Sequence, residues 1–149
     1  MYKLFILLII FSSCSKNTIK KIEENYDGPL IEIKNLNTFF TDSAQVRFQL
    51  KSELYQVFDE GEEIYPEGLY MDIYSRNSDS ITATFEANHV IKFENENYYK
   101  ATGNVVLFNI ETGDELRTEE LYWYPNDEKF VTQKFVTIKT GDEIHSGEG

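Results

Sequence analysis

With 149 residues, the chain is long enough for one domain with a single hydrophobic core. Tyr, Phe and Trp make up 15% of the sequence and there are only three Pro, which favours β-strands over disorder. A formal net charge of −12 would repel a phosphate backbone, so the composition argues against a protein that binds nucleic acid.

The N-terminus has the pattern of an export signal. Lys3 is followed by eight consecutive apolar residues, Leu4 to Phe11, and then by two serines. A membrane-spanning helix needs about 20 apolar residues, so residues 1–13 are predicted to be a secretory signal peptide.

The residues that close this signal predict a lipid anchor. Phe11-Ser12-Ser13-Cys14 resembles the bacterial lipobox, with Phe11 at a position that Leu usually occupies. Cys14, the only cysteine of the chain, is therefore predicted to be lipidated and to hold the protein on a membrane. The alternative is an ordinary signal peptide followed by an unrelated cysteine.

Residues 14–29 are polar, carry charges of both signs and end in the turn-forming Asp27-Gly28-Pro29. This composition predicts a tether between the lipid anchor and the folded domain. Its basic residues, Lys16, Lys20 and Lys21, either are solvated or lie against anionic headgroups.

The folded domain is predicted to span residues 30–149 and to consist of β-strands. Residues 44–50 alternate between apolar and polar side chains, which is typical of a half-buried strand. Shorter strand-like patterns occupy residues 30–33, 53–58, 69–74 and 81–85. No stretch of ten or more residues has helical apolar spacing, so we expect an all-β domain with at most a short helix near Lys20 or Ser52.

A short motif recurs from residue 87 onward. Its first residues are separated by 15, 16, 14 and 14 positions, so each block holds about one strand, a turn and a returning strand, which must stack on its neighbours to bury a face. Such stacking would place Val106, Tyr122 and Val136 one above another. The five occurrences are Ala87-Asn88-His89-Val90, Thr102-Gly103-Asn104-Val105, Thr118-Glu119-Glu120-Leu121, Thr132-Gln133-Lys134-Phe135 and Ser146-Gly147-Glu148-Gly149.

Alignment of the blocks separates two faces. The first consists only of apolar and aromatic residues: Ile91, Phe93, Val106, Phe108, Tyr122, Tyr124, Val136 and Ile138. The second is interrupted by Lys92 and Thr137. The first face is therefore predicted to line a lipid-binding groove, and the alternative is that it forms an ordinary core. A bulge at Gly103 would exchange the two faces.

The sequence lacks the patterns of a catalytic or metal-binding protein. His89 and His145 are far apart, and neither has a second ligand at the spacing of a zinc site. Phosphate-binding loops, nucleophile elbows and catalytic cysteine motifs are all missing. We therefore expect no enzymatic activity, no metal and no cofactor.

Four further segments are distinctive in their order and spacing: Tyr65-Pro66-Glu67-Gly68, Ala101-Thr102-Gly103-Asn104-Val105, Leu116 to Trp123 (LRTEELYW) and Asp142 to Gly149 (DEIHSGEG). Together they resemble the LptC family, the periplasmic component of the lipopolysaccharide export machinery. The resemblance implies a twisted, V-shaped, OstA-like β-jellyroll whose interior holds the acyl chains of lipopolysaccharide.

The same resemblance implies partners and a location. The protein would be anchored at the periplasmic side of the inner membrane of a Gram-negative bacterium. It would accept lipopolysaccharide from an ABC transporter and pass it to a periplasmic bridge protein of related, LptA-like fold. The transporter would supply the energy, so the role would be passive transfer during outer-membrane biogenesis.

Two features depart from the family pattern. Familiar members have one transmembrane helix, which a lipid on Cys14 would replace here. The sequence also stops at Gly149, where relatives continue with further strands, so either it is a piece of a longer chain or the domain ends in a bare edge. The alternative function is that of a β-solenoid lipoprotein that binds proteins and carries no lipid.

Overall fold

The computed structural model describes residues 26–127 and 129–149. The predicted signal peptide, Cys14 and most of the tether lie outside these residues. The all-β prediction is confirmed, because the described chain forms one antiparallel sheet of eleven strands. The strands are β1 (Ile31–Asp42), β2 (Gln45–Val57), β3 (Glu62–Tyr65), β4 (Leu69–Tyr74), β5 (Ile81–Ala87), β6 (His89–Phe93), β7 (Tyr98–Asn109), β8 (Glu115–Tyr124), β9 (Lys129–Val131), β10 (Phe135–Thr140) and β11 (Glu143–Glu148).

Helical structure in the described residues is limited to one 3₁₀ turn, Pro125–Asp127. Of the two places where at most a short helix was expected, Ser52 lies inside β2 and Lys20 falls outside the described part of the chain. No helix within residues 26–127 and 129–149 has the length and apolar character needed to cross a bilayer.

The sheet closes on itself. Its strand order is β11-β10-β8-β7-β5-β4-β2-β3-β6, and β6 also pairs with β7, so six strands from β7 round to β6 form a ring. β1 adds to β2 and β9 adds to β8 outside this ring. Closure removes the edges of the ring strands and produces the jellyroll-like fold that was predicted.

The long strands belong to two arms. In β7, residues 98–102 pair with β6, whereas residues 106–109 pair with β5. The register shifts between Thr102 and Val105, where Gly103 and Asn104 have φ angles of 76° and 46°. β2 and β8 change partners in the same way. We call the half with β4, β5, β10 and β11 the first arm, and the half with β3, β6 and β9 the second arm.

The recurring motif marks the crossing between the arms. Its copies are joined in space: the Asn88 amide donates to the Gly103 carbonyl at 2.9 Å, and the Thr118 hydroxyl donates to the Phe135 carbonyl at 3.0 Å. The stacking of the blocks is therefore confirmed at the crossings.

The predicted column of Val106, Tyr122 and Val136 is wrong. Val106 pairs with Arg117, Tyr122 with Lys100, and Val136 with Thr118. Adjacent strands are antiparallel, so consecutive blocks leave the crossing in opposite directions and enter opposite arms. Equivalent residues of neighbouring blocks consequently lie far apart.

The core lies at and beside the crossings. Val105 is fully buried, Val90 is 2% exposed and Leu121 is 3% exposed. Leu50, Leu69, Ala87 and Ala101 complete the aliphatic part of this cluster. Apolar residues in or beside the first three motif copies therefore pack together where the strands change arms.

β1 is much longer than the predicted strand at residues 30–33. Residues 36–42 continue the pairing with β2, although both Phe39 and Phe40 are about half exposed. A strand with consecutive exposed aromatic residues has no period-two alternation, which explains why the sequence pattern failed to predict its second half.

A candidate lipid-binding cavity between the two arms

The ring of strands surrounds a partly open cavity of about 880 Å³, within the range of roughly 300 to 1,000 Å³ that is typical of small-ligand sites. Every ring strand contributes to its wall, and so do β8 and β9. The wall is largely apolar: Leu50, Leu69, Ile73, Phe85, Leu107 and Leu121 are among its residues. A wall of this kind favours apolar ligands, because it removes their surface from water and offers few hydrogen-bonding groups to polar ones.

Aromatic rings form two parts of the wall. Tyr99 and Trp123 are cross-strand partners on β7 and β8, with their ring centroids 5.0 Å apart, and Phe130 of β9 lies 6.2 Å beyond Trp123. Phe40 and Phe48 stack at 4.5 Å on β1 and β2. Such cross-strand aromatic pairs stabilise the sheet and present flat apolar surfaces to the interior.

The cavity lies on the face opposite to the predicted one. The residues that alternate with the predicted set line it, among them Val90, Lys92, Leu107, Leu121 and Trp123. None of the eight predicted groove residues does so: Ile91, Phe93, Val106, Phe108, Tyr122, Tyr124, Val136 and Ile138 all lie away from the cavity. The eight predicted residues therefore do not line this cavity, and binding of a lipid stays a prediction.

Val106 is buried, at 7% exposure, whereas the other predicted residues are half-buried or exposed on the face away from the cavity. Phe93 stacks on Tyr98 with ring centroids 4.6 Å apart, and Tyr98 contacts Tyr124 at 5.6 Å and Tyr122 at 6.2 Å. Ile138 is 39% exposed. An aromatic cluster on a solvent-facing surface satisfies the same alternation as a core face, so the pattern alone misassigned it.

The positive charge of Lys92, the residue that argued against the inner face, is balanced by two carboxylates. Its ammonium nitrogen is 2.7 Å from a Glu63 carboxylate oxygen across the β3–β6 pair and also contacts Glu94. Burial opposes the charged form of Lys92, but hydrogen bonds to Glu63 and Glu94 outweigh it and raise the pKa of the amine. Lys92 therefore remains a paired cation in the cavity wall.

Two tyrosines surround this ion pair. Burial, followed by the charge of Glu63, raises the pKa of Tyr55 to about 12 and raises the pKa of Tyr65 as well. Both phenols stay neutral at physiological pH. Two neutral phenols therefore adjoin the ion pair of Lys92 and Glu63.

A second hollow, of about 650 Å³, lies beside the crossing and is largely open to solvent. Lys51, Glu53, Glu67, Glu86 and Asn104 are among its residues. Its many charged groups make it a poor place for hydrocarbon, in contrast to the larger, mostly apolar cavity.

The residues considered for metal binding do not converge. His145 lies on β11 beside Glu143, at 3.2 Å, whereas His89 begins β6 opposite Thr102. Within residues 26–127 and 129–149, no group of three or more His, Cys, Asp or Glu side chains could hold a metal ion.

No protein-family model matches this sequence, and no curated protein matches it.

Proposed function

We propose that this protein carries lipopolysaccharide by holding its acyl chains in the cavity between the arms. The observation that carries the proposal is the largely apolar cavity of about 880 Å³, lined by aromatic and aliphatic side chains, inside an all-β ring. Apolar chains gain roughly 25 cal/mol for each Å² of surface removed from water, so such a cavity favours hydrocarbon over polar ligands.

The role is that of the LptC family: a protein anchored by Cys14 at the periplasmic side of the inner membrane, which accepts lipopolysaccharide from an ABC transporter and passes it to a periplasmic bridge protein. Transfer of this kind needs a groove and docking edges and requires no catalytic residue.

Two strand edges support the docking part of the proposal. Within the described residues, β1 pairs only with β2, and β11 pairs only with β10. Each strand therefore has one side along which a strand of another protein could add by main-chain hydrogen bonds. Partners with a related β fold suit this mode of association.

The alternative function, a protein-binding scaffold without lipid, differs in what its interior requires. A scaffold has no need of an open space among its core residues, and a void in a packed core costs stability. The size of the cavity therefore favours the lipid carrier.

Two adjacent residues of β7 provide a direct test, because Leu107 lines the cavity and Phe108 lies on the other face. A photo-crosslinking amino acid at position 107 of the full-length protein should capture lipopolysaccharide in cells, and the same amino acid at position 108 should not. Equal capture at the two positions, or no capture at 107 by a folded and anchored protein, would contradict the proposal.

A further inference from the structure

We propose that Arg47 and Arg76 bind the phosphate group of the lipid whose acyl chains occupy the cavity. This inference rests on the proposed function and adds the part of the ligand that the apolar wall cannot recognise. Both arginines line the cavity together with Asp42, Ser43 and Gln45, which makes this part of the wall polar.

The pairing of the arginines is the first argument. The chain has three arginines, and Arg117 forms a fork with the Glu115 carboxylate, at 2.6 Å and 2.9 Å. Neither Arg47 nor Arg76 has an ion pair or a side-chain hydrogen bond within the part of the chain that the structure describes. Carboxylates are abundant in a protein with 26 acidic residues against 14 basic ones, yet neither guanidinium group is paired with one among the described residues, so both are available to an anion from outside.

The position of Arg47 depends on a β-bulge. Phe40 pairs with Phe48 and Thr41 pairs with Val46, so Arg47 is the extra residue of β2. Consecutive residues of a regular strand point to opposite faces, yet Arg47 and Phe48 both line the cavity. The bulge therefore turns a charged side chain toward an apolar space, and bulges commonly re-aim side chains in this way beside functional sites.

Arg76 lines the same cavity from the turn that joins β4 to β5, two residues after the lining residue Tyr74. One carboxylate, that of Asp42, also lines the cavity, and it accepts a hydrogen bond from the Ser43 hydroxyl at 3.1 Å. Asp42 forms no salt bridge with either arginine. Two guanidinium groups against one carboxylate leave this part of the wall positive, although the whole chain is acidic.

A phosphate fits these groups by geometry as well as by charge. Guanidinium presents a planar fork of donors that matches phosphate oxygens, and charge-assisted hydrogen bonds of this kind are stronger than neutral ones. An amphiphile with its acyl chains against the apolar wall would place its charged group where that wall becomes polar. The phosphate could come from the lipid A part of lipopolysaccharide or from a glycerophospholipid.

Trp123, the only tryptophan of the chain, lines the cavity and so reports its occupancy. The test uses purified full-length protein and quenching of Trp123 fluorescence by lipids with brominated acyl chains. Two matched pairs distinguish the sources: lipid A against dephosphorylated lipid A, and phosphatidic acid against diacylglycerol. The variants are Arg47→Gln, Arg76→Gln and the double variant, with Arg117→Gln as the matched control.

We expect the wild-type protein and Arg117→Gln to bind the phosphorylated member of one pair about tenfold more tightly than its partner, and the double variant to lose this preference while it keeps the weaker affinity. The pair that shows the preference identifies the source of the phosphate. Equal affinity for both members of both pairs in the wild type would overturn the phosphate site and leave lipid carriage intact. A preference that survives in the double variant would overturn the assignment to these arginines. Absence of quenching by every lipid would overturn lipid carriage itself.

Discussion

Lys92 shows how a single charged side chain is accommodated in an otherwise apolar wall. It lies on the inner face of β6, and its side chain is only 19% exposed. The cost of removing its charge from water is offset by Glu63 on the neighbouring strand and by Glu94, which directly follows β6. Each of the two charges is therefore tolerated in the wall only while its partner is present.

Removal of one partner tests this interpretation. Lys92→Met should lower the free energy of unfolding by about 2 kcal/mol, because Glu63 would be left half-buried without its cation. The double variant Lys92→Met/Glu63→Gln should recover most of this loss. Urea unfolding at neutral pH measures both, and a single variant no less stable than the double one would contradict the interpretation.

At the scale of the strand, β7 depends on its crossing from one arm to the other. The crossing needs two successive residues with positive φ, Gly103 and Asn104, so that the register with β8 can shift. Gly103 is also packed closely, because a Cβ atom at this position would lie 3.1 Å from the Cβ of Asn88.

Gly113 is a natural control for Gly103. Its φ of 75° is nearly equal to the 76° of Gly103, but a Cβ atom at Gly113 would have no neighbour within 4 Å. Gly113→Ala should cost about 1 kcal/mol of stability from backbone strain alone, and Gly103→Ala should cost about 1 kcal/mol more because Asn88 must also move. Thermal or urea unfolding compares the two, and equal losses would show that the close contact at the crossing has no energetic weight.

At the scale of the whole molecule, closure of the sheet decides which face of each strand is inside. Val90 and Ile91 are consecutive on β6, yet Val90 is 2% exposed and Ile91 is only half-buried on the outer surface. Their side chains are similar in size, so any difference in their contribution to stability reflects the face and not the chemistry.

Truncation of these two residues measures the difference. Val90→Ala should destabilise the protein by about 2 kcal/mol, because it leaves unfilled space in the core, whereas Ile91→Ala should cost less than about 1 kcal/mol despite the removal of more atoms. A larger loss for Ile91→Ala in urea unfolding would restore the face that the sequence pattern favoured.

The candidate site was only partly predictable from the sequence. Alternation correctly separated the residues of β6, β7 and β8 into two sets, but it ranked them by the absence of charge and so preferred the outer aromatic cluster around Tyr98. Lys92 counted against the inner set because its partner Glu63 is 29 residues away, a separation that no local pattern reveals. Arg47 escaped notice because it occupies a regular position in an alternating segment, and only the pairing of β1 with β2 makes it the extra residue of a bulge.

The sequence by itself determined the all-β class, the approximate strands and turns, and the recurrence of one motif from residue 87 onward, since these depend on side-chain alternation and on the backbone preferences of neighbouring residues. The tertiary structure decided the rest: that the motif marks crossings between two arms, that the sheet closes through the β6–β7 pair, and that the cavity lies on the face bearing Lys92. Closure joins residues that are distant in sequence, which no local pattern reveals. Alternation of apolar and polar residues separates the two faces of a strand, but it does not show which face lies inside the closed ring.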